Sequence, residues 1–394
     1  MTASMPGSHT LPATVLVTEL HHFMGHYWGI RPCRLPEWAR ALADPQLLSA
    51  QALPAGVRLV FRTSATIIEL VAHRIHMVFR GVAPRPDCRF DLVIDGELVA
   101  YAESSAGTTV IVDAATGTSE VEQGPDQTVR FDAMPSGEKT VEIWLPHYET
   151  IDLVALRTDG RVEPVLEESR RWLHYGSSIS QGSNATSPTG TWTARVARSG
   201  GLALTNLGFS GSAMLDPFVA RVIRDRPADL ISIKVGINLV NGDVMRMRAF
   251  TPCLHGFLDT IRDGHPTTPI LVISPIYCGI HEQTPGPAAT DFGDGTIRYR
   301  ATGDPHEVEA GKLTLRTVRE EIKRIVELRR RHDENLHYLN GLELFDEADA
   351  ERHPLPDRLH PDSDSHALIA DRFYALTPSK GGALAAWERE RDRR

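Results

Sequence analysis

With 394 residues, 42 Lys and Arg against 51 Asp and Glu, and a formal net charge of −9, the chain is too long for one ordinary core and lacks the basic excess that nucleic acid or anionic membranes would require. Its four scattered cysteines, Cys33, Cys88, Cys253 and Cys278, form no CxxC pair, which argues against a disulfide framework or zinc site and for reduced thiols packed as small apolar residues. No segment reaches the roughly 18 to 20 apolar residues of a membrane helix, and the start, MTASMPGSHTLPATVLV, has no basic patch followed by a signal-length apolar run, so a soluble, cytoplasmic protein is expected.

The opening 50 residues hold an aromatic- and His-rich piece, TELHHFMGHYWGIRP, whose pattern matches no element. His22 and His26 are four apart, a spacing that suits a metal on a helix face, but no HExxH accompanies them and packed or surface histidines are the simpler reading. From about residue 55 to 165 short runs rich in Val, Ile, Thr and Phe alternate with period two (VRLVFRTS, RFDLVIDGELVAYAES, QTVRFD, KTVEIWLP), separated by turns such as Asp95-Gly96, Ser136-Gly137 and Asp159-Gly160. That spacing predicts an antiparallel β-sandwich, jelly-roll-like, over residues 1–165 together with the opening segment. Ser136 to Lys139 fits the S-x-x-K spelling but reads as a hairpin turn.

After about residue 166 the grammar changes. WLHYG, LALTNLG, LISIKVG, ILVISPI and LHYLNG are compact apolar runs, as strands buried on both faces are. Between them PFVARVIRDRP, AFTPCLHGFLDTIRDG and KLTLRTVREEIKRIVELRRRH repeat apolar residues at helical spacing. Five strands with helical crossovers predict a flavodoxin-like, doubly wound parallel sheet over 166–394, with the boundary between Val162 and Arg170. The Pro- and Gly-rich stretch 277–311 has no period, and loops of that length are functional or disordered.

In an open α/β sheet ligands sit at the carboxyl ends of the strands. Gly176-Ser177-Ser178-Ile179-Ser180 follows the first apolar run, Gly208-Phe209-Ser210-Gly211 the second and Gly236-Ile237-Asn238 the third, while Asp357 and His360 stand three apart in HPLPDRLHPDSDSH. Together these supply an acyl-transfer set: a hydroxyl, an imidazole to take its proton, a carboxylate to orient the imidazole, and Gly amide and Asn donors for an oxyanion. No glycine-rich run ends in Gly-Lys-Ser/Thr, which sets nucleotide binding aside. The first loop also lacks the last glycine of a GxSxG elbow.

At these residues the chain resembles the SGNH (GDSL-type) hydrolases. GSSIS at 176–180, NLGFSG at 206–211, VGIN at 235–238 and DRLHP at 357–361 look like the four blocks of that family, over about residues 170 to 376. Carried over by position, the resemblance implies Ser178 as nucleophile, the Ser178 and Gly211 amides with Asn238 as oxyanion donors, Asp357 as orienting acid and His360 as base. The Asp usual after the first Gly is Ser177 here, a departure from the standard site. Ser180 reads as a turn or helix-capping hydroxyl, Ser210 as the rival nucleophile, and Ser363 and Asp364 as the cap of ALIADRFYAL, with Asp362 and Asp364 the rival orienting acids.

Two-domain members with a carbohydrate-module-like sandwich before the SGNH domain include sugar-ester deacetylases and antibiotic-pathway acyl transferases. The layout tilts the expectation toward an intracellular O-acyltransferase, or an ester hydrolase, acting on a small natural product or sugar. No cofactor or metal is expected, an acyl thioester such as an acyl-CoA being at most a co-substrate. The alternative is a non-catalytic carbohydrate- or metabolite-binding protein on the same scaffold, which Ser177 alone favours.

Overall fold

Alternation with period two dominates residues 57–158, and in the computed structural model it becomes two facing sheets; the structure describes residues 9–12, 31–83, 85–114, 116–165, 169–292 and 295–379. His22 and His26 lie outside the described residues. The chain divides into two compact units, one of Met1–Glu37, Gln51–Glu168 and Thr186–Thr189, the other of Trp38–Ala50, Ser169–Ala185 and Gly190–Arg394.

In the first unit one sheet runs His9–Pro12, Thr150–Thr158, Ile68–Phe79, Thr108–Asp113, Thr118–Glu122, with Gln127–Phe131 also on Ile68–Phe79. The other runs Val162–Pro164, Arg58–Thr63, Lys139–Trp144, Cys88–Ile94, Glu97–Ser104. Inward side chains of both sheets, among them Leu59, Phe61, Leu70, Phe90, Leu92, Val129, Phe131, Val141, Ile143 and Leu153, form one core, as a sandwich requires. The pairing is antiparallel with one departure: Ile75 to Phe79 pairs in parallel with Thr108 to Val112, because the 12-residue strand Ile68–Phe79 has already given Ile68 to Ala72 to Gln127–Phe131. A bulge between Leu153 and Ala155 resets the alternation, so Ile151, Leu153 and Leu156 all reach the core. The strand Thr118–Glu122 has no counterpart among the expected ones: TSEVE is exposed at every position, so no apolar alternation marks it.

The second unit holds the parallel sheet, whose order places Leu202–Gly208 beside Arg170–Gly176, then Leu230–Lys234, Ile270–Ile273 and Leu336–Leu339. Its strands coincide with the five predicted runs. In Arg170–Gly176 successive side chains serve opposite faces. Trp172 stacks on Phe373 and is joined there by Trp192, while Tyr175 stacks on Phe257. Trp192 belongs to a further helix, Trp192–Gly200, which the sequence reading passed over. With the order second, first, third, the winding of the sheet reverses between the parallel first and third strands, the switch point at which folds of this type bind ligands. Among the described residues no helix is long and apolar enough to cross a membrane.

Candidate active site

Gly176 ends the first strand in register with Gly208 on one side and Lys234 on the other, so three strand-end loops start level with one another. A Cβ at Gly176 would strike the Ser180 side chain, so the close approach of the following turn leaves room only for glycine. The turn Ser178–Gln181 that follows is capped by Ser177, whose Oγ accepts from the Ile179 amide at 3.3 Å. This corrects the expectation for Ser180: the capping hydroxyl is Ser177, and Ser180 lies inside the turn. The residue that departed from the family pattern therefore has a local task.

Ser178, 4% exposed, places Oγ 2.8 Å from His360 Nε2. His360 Nδ1 is 2.7 Å from Asp357 Oδ2. The carboxylate is held in turn: Oδ1 accepts from the Leu359 and His360 amides at 2.9 and 2.7 Å, and Oδ2 also accepts from Asn184 Nδ2 at 3.2 Å. Burial pushes the Asp357 carboxyl up, but the hydrogen bond and charge of His360 and the two amides outweigh it and hold it down at about 2, so it is ionised at any ordinary pH. An ionised carboxylate at Nδ1 fixes the proton there and leaves Nε2 free to accept from Ser178.

Of the rival orienting acids, Asp362 is occupied as a helix cap, accepting from the Ser365 amide at 2.9 Å ahead of helix Ser363–Ser379. That displaces Ser363 and Asp364 from the capping role the sequence suggested. Ser210, the rival nucleophile, donates its amide to Gln181 Oε1 at 3.0 Å.

The second and third loops are tied together, because Asn238 Oδ1 accepts from the Ala213 amide at 3.0 Å. The Asn238 NH₂ is thereby the end left to donate. Gly211 sits two residues before Ala213 at φ +70°, a conformation glycine adopts without strain. A Gly amide and an Asn side-chain amide, on loops that start level with the one bearing a hydroxyl hydrogen-bonded to an imidazole, are donors of the kind that meet the negative oxygen formed on an acyl carbon.

Three residues that no motif pointed to complete the surroundings. Asn184 has just been placed on Asp357. Tyr299 presents a ring edge to His360, centroids 5.6 Å apart, and its amide donates to the Asp357 carbonyl at 3.0 Å. It comes from the hairpin Ala288–Asp291 with Arg298–Ala301, so the aperiodic stretch 277–311 is partly ordered and lies against the imidazole.

His174 is the third. It is fully buried, with Nε2 2.7 Å from Ser180 Oγ and Nδ1 2.7 Å from Ser232 Oγ, which also accepts from Trp172 Nε1. Burial, then the nearby Lys234 charge, holds His174 down at about 3, and burial holds His366 at about 4. Both are thus neutral when folded but bind protons near pH 6.5 when unfolded. The unfolded chain takes up protons first as the pH falls, so their contribution is complete above about pH 6.5 and is lost toward pH 3 to 4. Each can add up to about 1.4 kcal/mol per pH unit to the acid slope of stability. The unfolding midpoint of the full chain should fall steeply below pH 6.5, and His174→Asn should flatten that slope while lowering stability near neutrality. An unchanged slope would mean that His174 is charged in the folded protein.

Among the described residues no disulfide joins the four cysteines, and no group of three or more His, Cys, Asp or Glu is placed to hold a metal ion.

Residues 169–281 match the GDSL-like lipase/acylhydrolase family, and residues 22–154 match the SsfX3 N-terminal domain. Among solved structures the chain is similar to the salicylyl-acyltransferase SsfX3 from a tetracycline biosynthetic pathway, with 27% identity over 98% of this chain and 97% of that one and a TM-score of 0.74. A putative GDSL-like lipase from Bacteroides ovatus shares the fold at 20% identity and TM-score 0.65, covering 94% of this chain and 97% of its own. A family two carbohydrate esterase from Clostridium thermocellum does so at 14% and 0.55, covering 84% and 94%. Comparison with curated protein sequences returns no match. Residues 169–281 thus carry a GDSL-like lipase/acylhydrolase domain, with an SsfX3-type domain ahead of it at 22–154, which supports an SGNH-type esterase or acyltransferase.

Proposed function

We propose, from the GDSL-like acylhydrolase domain at residues 169–281, that Ser178 accepts an acyl group from a small-molecule ester or thioester and passes it to a hydroxyl acceptor. The observation that carries this reading is the unbroken series Asp357, His360, Ser178 at 2.7 and 2.8 Å. Ser178 Oγ bonds to the acyl carbon as its proton moves to His360 Nε2. The carbonyl electron pair shifts to oxygen, where the Ser178 and Gly211 amides and the Asn238 NH₂ receive it. The pair returns, the bond to the leaving group breaks, and that group takes the proton from His360. The acceptor oxygen then bonds to the acyl carbon as its proton moves to His360, the electron pair again shifts to oxygen and returns, and the bond to Ser178 Oγ breaks as Ser178 takes the proton from His360.

This chemistry asks for no cofactor, and an acyl-CoA or other thioester would enter as the donor. The same residues serve water equally well, so the acceptor separates transferase from hydrolase. The likeness to SsfX3 extends across nearly the whole of both chains, sandwich included, which supports an O-acyltransferase acting on a small natural product. The binding-protein alternative rested on Ser177, and its capping bond removes that support.

The deciding experiment incubates the protein with acyl thioesters and activated esters, with and without polyhydroxylated or phenolic acceptors, and follows the acyl group by mass spectrometry. Acylated acceptor in excess of free acid is expected. Free acid alone with every acceptor would make the protein a hydrolase.

A further inference from the structure

The segment 38–50 precedes the sandwich in the chain, yet it packs with the parallel-sheet unit. Asp44 caps the short helix Pro45–Gln51, accepting from the Gln46 and Leu47 amides at 2.8 and 3.2 Å, and the buried Leu47 and Ala50 anchor it. Its neighbour is the loop and helix after the second strand: the Arg221 guanidinium lies 5.5 Å from the Trp38 ring, and the Asp44 charge, after burial, helps raise Asp216 to about 6.

One side chain of this segment reaches Gly211. The space a Cβ would fill at Gly211 is taken by Gln46 Nε2. Within one residue N and Cβ are about 2.5 Å apart, which places this amide within roughly 5 Å of the Gly211 nitrogen. Gln46 itself is exposed, its backbone is fixed by the Asp44 cap, and no motif assigned it a role. An oxygen that accepts from the Gly211 amide at about 2.9 Å lies at most roughly 8 Å from Gln46 Nε2, and rotation of this exposed side chain is what would bring the two together.

We propose that Gln46 is an additional donor to the acyl carbonyl oxygen, reaching it from the Gly211 side and strengthening its hydrogen bond as negative charge develops. Gly211 then has two reasons to lack a side chain, its φ and the passage of Gln46. The proposal rests on the acyl-Ser178 reading, and the test keeps the two apart.

The readout is the second-order rate of fluorophosphonate labelling of the intact chain, since the phosphoryl oxygen occupies the position of the acyl oxygen. Gln46→Ala should label roughly tenfold more slowly, the loss of one charge-assisted hydrogen bond. Gln46→Glu should be slower still, because a carboxylate beside a developing oxyanion repels it, an ordering that loss of packing alone does not produce. Thermal midpoints close to wild type would locate the effect in the site. Labelling of both variants within twofold of wild type, or Gln46→Glu faster than Gln46→Ala, would overturn the role of Gln46 and leave Ser178 standing. Absence of labelling in wild-type protein would overturn both.

Discussion

Ser178→Ala is expected to abolish acyl transfer and covalent labelling together, with a fall in kcat of about 10⁶-fold, the scale seen when a serine nucleophile working with an imidazole is removed. The size follows from the geometry: Ser178 Oγ is 2.8 Å from His360 Nε2, the hydrogen bond through which the imidazole takes its proton. Ser180 is the informative control, two residues away and also on an imidazole, His174, at 2.7 Å. That second pair is sealed in the core, with both residues at 0% exposure, and its histidine is oriented by a neutral Ser232 hydroxyl instead of a carboxylate. Ser180→Ala should therefore keep fluorophosphonate labelling and lose stability, about 1 to 3 kcal/mol for a buried imidazole left without its partner. Labelling that survives in Ser178→Ala and vanishes in Ser180→Ala would reverse the assignment. Intact mass and peptide mapping of the labelled protein decide between them.

What could be read from the sequence was whatever local pattern encodes. The five strands of the parallel sheet are compact apolar runs, and Ser178, Gly211 and Asn238 each stand directly after one of them, where the topology of such a sheet must bring them together. Asp357 and His360 are three apart, so the turn joining them is local too. The residues that escaped notice depend on tertiary contact. Asn184 meets Asp357 across 173 positions, and its positive φ of 66° suits Asn but forms no recognisable spelling. Gln46 reaches Gly211 from a segment that groups with the parallel-sheet unit although the sandwich follows it in the chain. His174 could be seen only as one polar residue within an apolar strand, and its meaning depends on Ser232 from a neighbouring strand. Ser177 takes the capping role that Ser180 also suggested, because both are hydroxyls next to a helix start and only the bond to Ile179 tells them apart.

Asp357→Asn is the second large effect expected, a loss of about 10⁴-fold in kcat with the fold preserved, the magnitude set by placing the imidazole in the wrong tautomer. Asp357 accepts at both oxygens, from two backbone amides at Oδ1 and from His360 Nδ1 and Asn184 Nδ2 at Oδ2. The replacement amide has one oxygen and one NH₂. Its oxygen can satisfy both backbone amides at once, so the arrangement that keeps most hydrogen bonds turns the NH₂ toward His360. Nδ1 must then accept, the ring proton moves to Nε2, and Nε2 faces Ser178 as a donor that cannot take the hydroxyl proton. The NH₂ also confronts the Asn184 NH₂, donor against donor. Asn184→Ala should consequently cost far less than Asp357→Asn, about tenfold, since it removes only one support of the carboxylate. If Asp357→Asn retained more than a tenth of wild-type kcat, another group would have to orient His360, and Asp357 would leave the site. Steady-state rates on one activated ester for the three proteins, with thermal midpoints alongside, supply the comparison.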